Sequence, residues 1–308
     1  MAASSTATPV LIRGKRRLWD RLYPSLSIVL PLLVIALFTI YPVLYAVRNS
    51  FYQYILTKPK AHPFIGLKNY LEVINNYYFT NSLTNTAIYT VAVVIAVLIF
   101  GLTVALLINT KVLFSHPLRI VILLPWAIPA VVAGLMWKWM LNSDFGLFNG
   151  FLYGMGLIRD YIPFFADPTL AKLSLIVAFV WKEGPLVTIF FLAGLQLIPI
   201  ELYEAARIDG GGGWRLLRYI TLPLLRPIIL IVMVYETMTA VLVFDLIYVL
   251  TGGGPGDATA MISWFAYAEI FKFLNLGHGL ALAIIIALII MVLIVLYLRM
   301  LRTEDTVS

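Results

Sequence analysis

Six long apolar stretches recur along this 308-residue sequence. A helix that crosses about 30 Å of hydrocarbon, at about 1.5 Å per residue, needs roughly 20 apolar residues. Composition agrees, because 62% of the residues are hydrophobic and only 12% are charged, whereas about a quarter are charged in a soluble domain. The sequence therefore predicts an all-α membrane protein with six transmembrane helices, at residues 26–47, 83–109, 118–140, 170–198, 224–250 and 279–299.

The first apolar stretch follows a basic segment, as the apolar core of a signal peptide does. A cleaved signal peptide has a shorter core and a small-residue cleavage site after it. Here Arg48, Asn49 and several aromatic residues follow instead. We therefore expect an uncleaved first span, and with it a basic amino-terminal tail at residues 1–24, a six-helix domain at residues 25–300 and a short tail at residues 301–308.

The placement of Lys and Arg predicts how the chain is oriented. Cytoplasmic loops of membrane proteins carry an excess of these residues. Segments on alternate sides of the predicted spans carry 13 and 6 of them, and the richer set includes both ends of the chain. We therefore expect a multi-pass inner-membrane protein with both termini in the cytoplasm. The net charge of +7 is then a consequence of membrane topology, and nucleic acid is not expected as a partner.

A cytoplasmic loop joins the fourth and fifth predicted spans and runs from Pro199 to Pro223. Proline suits the first turn of a helix, and Gly210 suits its end because glycine tolerates a positive φ. The small residues Ala205 and Ala206 leave a shallow face that another protein can approach closely. We expect two short helices here, the second of which ends at Pro223.

The loop contains E-A-A, three residues, G, nine residues and I-x-L-P over residues 204–223. This spacing resembles the EAA loop of the membrane subunits of binding-protein-dependent ABC importers at every position. A plain amphipathic loop would explain the triplet but not the full spacing. Residues 65–70, 124–126 and 244–259 are similar to the carbohydrate-uptake subfamily, the maltose/trehalose-type sugar permeases, so the resemblance covers essentially the whole chain.

The resemblance implies the type I importer (MetI-like) permease fold. It also implies a transport subunit, not an enzyme, that translocates a sugar or oligosaccharide delivered by an extracytoplasmic solute-binding protein. The partners so implied are the lipid bilayer, a second homologous permease subunit and two ATPase subunits. The EAA loop, residues 199–223, would then hold a coupling helix whose ATPase contacts come from Glu201, Tyr203, Glu204, Ala205, Ala206, Arg207, Asp209 and Gly210. Arg207, Arg215 and Arg218 have an alternative explanation as basic residues near anionic lipid.

Neither a nucleotide-binding motif nor a metal-binding pattern is present in the sequence. No G-x-x-x-x-G-K-[S/T] occurs, so ATP and Mg are expected on the partner ATPase subunits and no cofactor in this chain. His62, His116 and His278 lack a second ligand at metal-like spacing, and we treat them as loop residues. The absence of cysteine excludes disulfides and thiol catalysis.

Ionisable residues inside the fourth predicted span indicate a solute site, because a charge within the membrane usually faces a cavity or a partner. Lys182 and Glu183 precede Pro185, which has no amide hydrogen, so we expect the helix to kink or unwind there. Broken helices at mid-membrane are recurrent solute sites. A sugar needs polar acceptors and an aromatic face, which Trp181, Glu183 and Gln196 offer. The alternative is a Lys182–Glu183 pair that serves packing alone.

The fifth predicted span adds Tyr235, Glu236, Asp245 and Tyr248 as candidate solute residues. At about 100° per residue, Glu236 and Asp245 face opposite directions in a straight helix. Glu236, near mid-membrane, is the better solute candidate. Asp245, near the outer end, is expected to contact the partner permease or the binding protein.

Other functions are consistent with parts of this pattern. Within the importer class, the solute is alternatively a polyol or glycerol phosphate, although a phosphate favours more cationic residues than Lys182. An ion-coupled secondary transporter or channel would use Lys182, Glu183 and Glu236 without ATPase subunits. A membrane enzyme would need a clustered catalytic set, and the histidines and carboxylates here are scattered.

Overall fold

The computed structural model describes residues 18–58, 61–109 and 115–302. Within these residues regular structure is helical, apart from two isolated β-bridges, so the predicted all-α class is confirmed. Five of the described helices are long and apolar enough to cross a membrane, or six if one bent pair is a single span. The chain divides into two compact units, one up to Asn49 and one from Ser50.

The first unit is a single long helical stretch. Helix α1 (Leu18–Ile35) continues through a π-helical turn, Ala36–Ile40, into α2 (Tyr41–Ser50). Apolar side chains between Ile28 and Leu44 are exposed around the whole helix. A helix that is apolar all round needs lipid or another protein to cover it.

The second unit contains the remaining helices. α4 and α8 pack along much of their length, and α11 lies against both. Gly101 on α4 permits this close packing, because a Cβ there would overlap the buried side chain of Val187 on α8. The helices are α3 (Lys68–Ile74), α4 (Tyr77–Asn109), α5 (Ser115–Ala127), α6 (Ala130–Met140), α7 (Leu147–Gly154), α8 (Pro168–Gln196), α9 (Ile200–Ile208), α10 (Gly213–Leu216), α11 (Leu222–Val241), α12 (Asp245–Leu250), α13 (Ile262–Phe271) and α14 (Leu276–Arg302).

The third predicted span, 118–140, is not one straight helix. α5 and α6 meet at an angle of 96°. Pro129 begins the second helix from an extended conformation, and a residue that precedes proline disfavours helical geometry. The helix predicted over 118–140 is therefore divided in two at Pro129, although the two parts together have the length and composition of one span.

The fifth predicted span, 224–250, is also interrupted. α11 ends at Val241 and α12 begins at Asp245. The hydroxyl of Ser263 donates to the carbonyl of Val243, which satisfies one backbone group that the break leaves outside the helix. The inference that Glu236 and Asp245 face opposite directions assumed one straight helix. It does not apply, because the helix is interrupted between them.

Two prolines did not break helices where we expected them to. We expected the helix to kink or unwind at Pro185, and the unwinding was wrong because α8 runs without interruption through this residue. Pro223 does not end a helix either, since α10 continues through the π-helical turn Leu217–Thr221 into α11. A π-helical turn relieves the clash between a proline ring and the carbonyl four residues earlier, here that of Tyr219.

Candidate functional site

The EAA loop begins with a short helix whose two ends are defined by specific residues. α9 starts directly after Pro199 and ends at Ile208. Gly210 has a φ of +80°, which residues with a Cβ adopt at a cost. The amide of Gly211 then donates to the carbonyl of Ala206 at 2.8 Å. The glycine of the motif is therefore required by the turn that closes the helix.

Tyr203 ties this helix to the segment that follows it. Its hydroxyl lies 3.0 Å from Oγ1 of Thr221, and Thr221 is buried. Oγ1 of Thr221 also donates to the carbonyl of Leu216 at 3.3 Å. These hydrogen bonds join α9, α10 and the turn that leads into α11.

The EAA loop exposes large apolar side chains. No side chain of α9 is buried, and Ile208, Trp214 and Tyr219 are 86%, 74% and 73% exposed. An exposed apolar patch of this kind is typical of a surface that another protein covers. Sequence reasoning missed these three residues, because the loop also contains apolar residues that the fold covers, such as Leu216.

The predicted coupling residues all lie on α9 and its closing turn. Tyr203 and Ala206 are half-buried, and the former is occupied by its contact with Thr221. The others are exposed, namely Glu201, Glu204, Ala205, Arg207, Asp209 and Gly210. Most of the predicted coupling residues are therefore accessible to another protein.

A cavity of about 390 Å³ lies between α8 and the break that separates α11 from α12. Glu183 and Asp245 from the predicted solute set line it together with Lys182, and Phe179 and Phe244 provide aromatic walls. Its remaining lining residues include Ala130 on α6 and Thr239 on α11. The cavity therefore combines a cation, two carboxylates, a hydroxyl and two aromatic rings, the mixture that a hydroxyl-rich solute needs.

Two of the charged groups at the cavity wall, Lys182 and Glu183, are almost completely buried, whereas Asp245 is exposed. Nζ of Lys182 lies 2.9 Å from Oε1 of Glu183, and their side chains are 14% and 7% exposed. Oε2 of Glu183 has no hydrogen-bond partner among the described residues. One oxygen of the carboxylate is thus held by the ion pair, and the other is buried with its hydrogen-bonding capacity unused.

Glu236 lies deeper than predicted. It is fully buried and does not line the cavity, and neither of its carboxyl oxygens has a hydrogen-bond partner in the described part of the chain. The Tyr89 hydroxyl on α4 is likewise buried without a partner, and Glu183 is near enough to both groups for electrostatic interaction. α4, α8 and α11 therefore meet at a polar point behind the cavity wall.

Three other predicted solute residues lie outside the cavity lining. Trp181 packs edge-on against Trp137, with ring centroids 5.9 Å apart. Gln196 is exposed at the end of α8, which places it about 20 Å along the helix from Glu183 at 1.5 Å per residue. Tyr235 is 39% exposed on α11. Tyr235 is nevertheless near enough to Glu183 for electrostatic interaction, whereas Trp181 and Gln196 have no contact with Glu183 or Asp245 among the interactions of the described residues.

Tyr248 belongs to a cluster that we call the aromatic shelf. Its rings come from α12, the residue before it and α13, with centroid distances of 4.9 to 6.2 Å between neighbours. A hydrogen bond with Tyr248 raises the pKa of the Tyr267 phenol above its ordinary value. The members of the shelf are Phe244, Tyr248, Trp264, Tyr267 and Phe271.

The fold and these two regions define a class of protein. A polytopic helical bundle with a solute-sized cavity and an exposed loop that carries apolar residues is typical of the membrane-embedded part of a transport system. Residues 97–302 match the family described as binding-protein-dependent transport system inner membrane component. The chain belongs to that family.

Relatives of known function cover most of the chain. The sulfoquinovosyl glycerol transport system permease protein of Agrobacterium fabrum is 36% identical, over 94% of this chain and 93% of the relative. The trehalose/maltose transport system permease protein of Thermococcus litoralis is 38% identical, over 88% of this chain and 91% of the relative.

Solved structures share the fold. A chain of a bacterial alginate ABC transporter, crystallised with an alginate pentasaccharide-bound periplasmic protein, superimposes with a TM-score of 0.78 at 22% identity. The alignment covers 94% of this chain and 98% of that one. The predicted permease fold is therefore confirmed.

Proposed function

We propose that this chain is a membrane-spanning subunit of an ATP-driven importer for a sugar or oligosaccharide. An extracytoplasmic binding protein delivers the solute, a second homologous permease completes the pathway, and two ATPase subunits bind the EAA loops from the cytoplasm. Both termini of the chain lie in the cytoplasm. Family membership supports the transport role, and the exposed, motif-bearing helix α9 is the observation that carries the coupling role.

The EAA loop has the properties of a force-transmitting contact. Its exposed apolar residues, Ile208 and Trp214, provide apolar surface that becomes buried when a partner binds. Glu204 supplies an accessible charge that selects one, since electrostatic complementarity gives specificity at interfaces. Because Tyr203 fixes α9 to the start of α11, displacement of α9 by the ATPase moves the helix that ends at the cavity.

The cavity has the chemistry of a sugar site. Hydroxyl groups of a sugar donate to the carboxylates of Glu183 and Asp245 and accept from the ammonium of Lys182. Phe179 and Phe244 cover the apolar faces of a sugar ring. The relatives whose names specify trehalose, maltose and sulfoquinovosyl glycerol support a solute with several hydroxyls. A solute that carries a phosphate is less compatible with this cavity, because the lining has two carboxylates, Glu183 and Asp245, and one ammonium, Lys182.

Reconstitution tests the whole proposal. The chain is co-expressed with the second permease and the ATPase subunits. The complex is inserted into proteoliposomes and supplied with binding protein and ATP. The probes are glucose, maltose, trehalose and maltotriose, with glycerol and glycerol 3-phosphate as compact alternatives. We expect sugar uptake that requires both ATP and the binding protein.

The alternatives give different results in the same assay. Uptake of glycerol or glycerol 3-phosphate but of no sugar would move the solute to the polyol class. Uptake by the chain alone, driven by a proton or sodium gradient without ATPase subunits, would replace the importer with a secondary transporter.

A further inference from the structure

The aromatic shelf is contiguous with the solute cavity. Phe244 lines the cavity, and its ring centroid lies 4.9 Å from that of Tyr267. Tyr267 lies in turn 4.9 Å from Phe271, which is 63% exposed. The rings therefore form an unbroken path from the cavity to an open surface.

The shelf is held in place from behind. Trp264 is buried beneath Phe244 and Tyr248, and the ammonium of Lys272 lies 4.3 Å from its ring centre. Gly253 packs against the same indole with a φ of +89°, and a Cβ there would overlap it. A surface fixed in this way loses little conformational entropy when a ligand binds.

The chemistry of the shelf fits the faces of sugar rings. An aromatic face is negative and attracts the slightly positive C–H groups of a pyranose face. The hydroxyls of Tyr248 and Tyr267 can bond the hydroxyls at the rim of such a ring. The cavity, at about 390 Å³, is near the small end of the usual range for ligand sites, about 300 to 1,000 Å³, so a longer solute must extend beyond it.

We propose that the aromatic shelf is a second carbohydrate subsite, which binds the outer rings of an oligosaccharide whose first ring occupies the cavity. The inference rests on the proposed sugar-import function and extends it to solutes of more than one ring. Continuity through Phe244 distinguishes the shelf from an aromatic belt, whose rings anchor in the lipid interface without reference to a solute site.

The test measures how solute length changes the effect of one substitution. The complete reconstituted complex is assayed for ATP hydrolysis stimulated by binding protein saturated with glucose, maltose, maltotriose or raffinose. Phe271→Ser is expected to lower stimulation by the trisaccharides about fivefold relative to glucose, as expected for one lost stacking contact. Phe271→Tyr is expected to retain the preference of the unmodified complex.

Phe273→Ser is the matched control. Phe273 is 60% exposed and follows Phe271 by two residues, but it is not part of the shelf. An equal loss for every sugar in Phe271→Ser would make the shelf a contact with lipid or the partner permease and overturn the inference. No change in any sugar would overturn it as well. If no sugar stimulates the unmodified complex, the proposed function itself fails.

Discussion

No side chain of α9 in the EAA loop is buried, whereas Lys182 and Glu183 at the solute cavity are almost fully enclosed by this chain. The exposed apolar residues of the loop gain stability only when a partner covers them. The enclosed charges of the cavity depend on contacts that the chain already makes. Substitutions in the cavity region should therefore lower the stability of the purified chain, and substitutions in the loop should affect assembly alone.

The largest effect is expected for Glu183→Leu. It leaves the ammonium of Lys182 without its partner at 14% exposure, and the loss of one partner of a buried ion pair costs about 3–5 kcal/mol. Thermal unfolding of the detergent-purified chain measures this loss. The double variant Lys182→Met with Glu183→Leu removes both charges and is expected to regain most of the stability. A single variant as stable as the unmodified chain would show that the pair is not enclosed.

Glu204→Lys is expected to give the opposite pattern. The side chain is exposed, so thermal unfolding of the isolated chain should not change. Reversal of a charge that a partner contacts should weaken ATPase binding by about 30-fold or more, which corresponds to the lower end of the effects seen for interfacial charge pairs. Co-purification of the ATPase subunits and ATP-driven uptake measure this loss.

Asp160→Lys is the control for Glu204→Lys, because Asp160 is an exposed carboxylate in a loop predicted on the outer side. It should leave ATPase binding intact. If Glu204→Lys assembles and transports as well as Asp160→Lys, the EAA loop is not the coupling contact.

The two regions also differ in how far the sequence alone predicts them. The EAA loop is contiguous, so its motif spacing, the end of α9 and the need for Gly210 are all readable from residues 199–223. The cavity is not contiguous. Ala130, Phe179 and Thr239 come from separate helices, and no periodicity within one helix reveals which of them meet.

Mid-helix prolines explain several of the errors. Pro129 separates α5 from α6, whereas Pro185 lies within a continuous α8. Both prolines lack the amide hydrogen that a residue inside a helix donates. Tertiary packing decides the outcome, because α4 lies along α8 and supports it, and this support is not visible in the local sequence. Packing between helices also explains why the sequence did not show that Glu236 is fully buried and does not line the cavity.

A smaller effect is expected from paired glycine substitutions. Gly101→Ala places a Cβ against Val187, which is fully buried, and overpacking of this kind costs about 1–3 kcal/mol. Gly212→Ala is the counterpart in the EAA loop, where a Cβ meets no atom within 4 Å. Thermal unfolding should separate the two variants. Equal unfolding temperatures for the two variants would contradict the claim that the helical bundle is tightly packed and the EAA loop is open.

The smallest effect is expected for Pro185→Ala, which tests whether the cavity region must unwind. Alanine restores an amide that can donate to the carbonyl of Trp181, and the loss of ring atoms from a buried site offsets that gain, so stability should change by less than about 1 kcal/mol. Pro227→Ala, in α11, restores a similar bond at an exposed position and controls for the helix effect alone. Because α8 is already continuous, uptake should stay within about twofold of the unmodified complex, a change of well under 1 kcal/mol in the barrier. Loss of uptake in Pro185→Ala but not in Pro227→Ala would mean that α8 opens at this proline during transport, and that the enclosed region is not rigid.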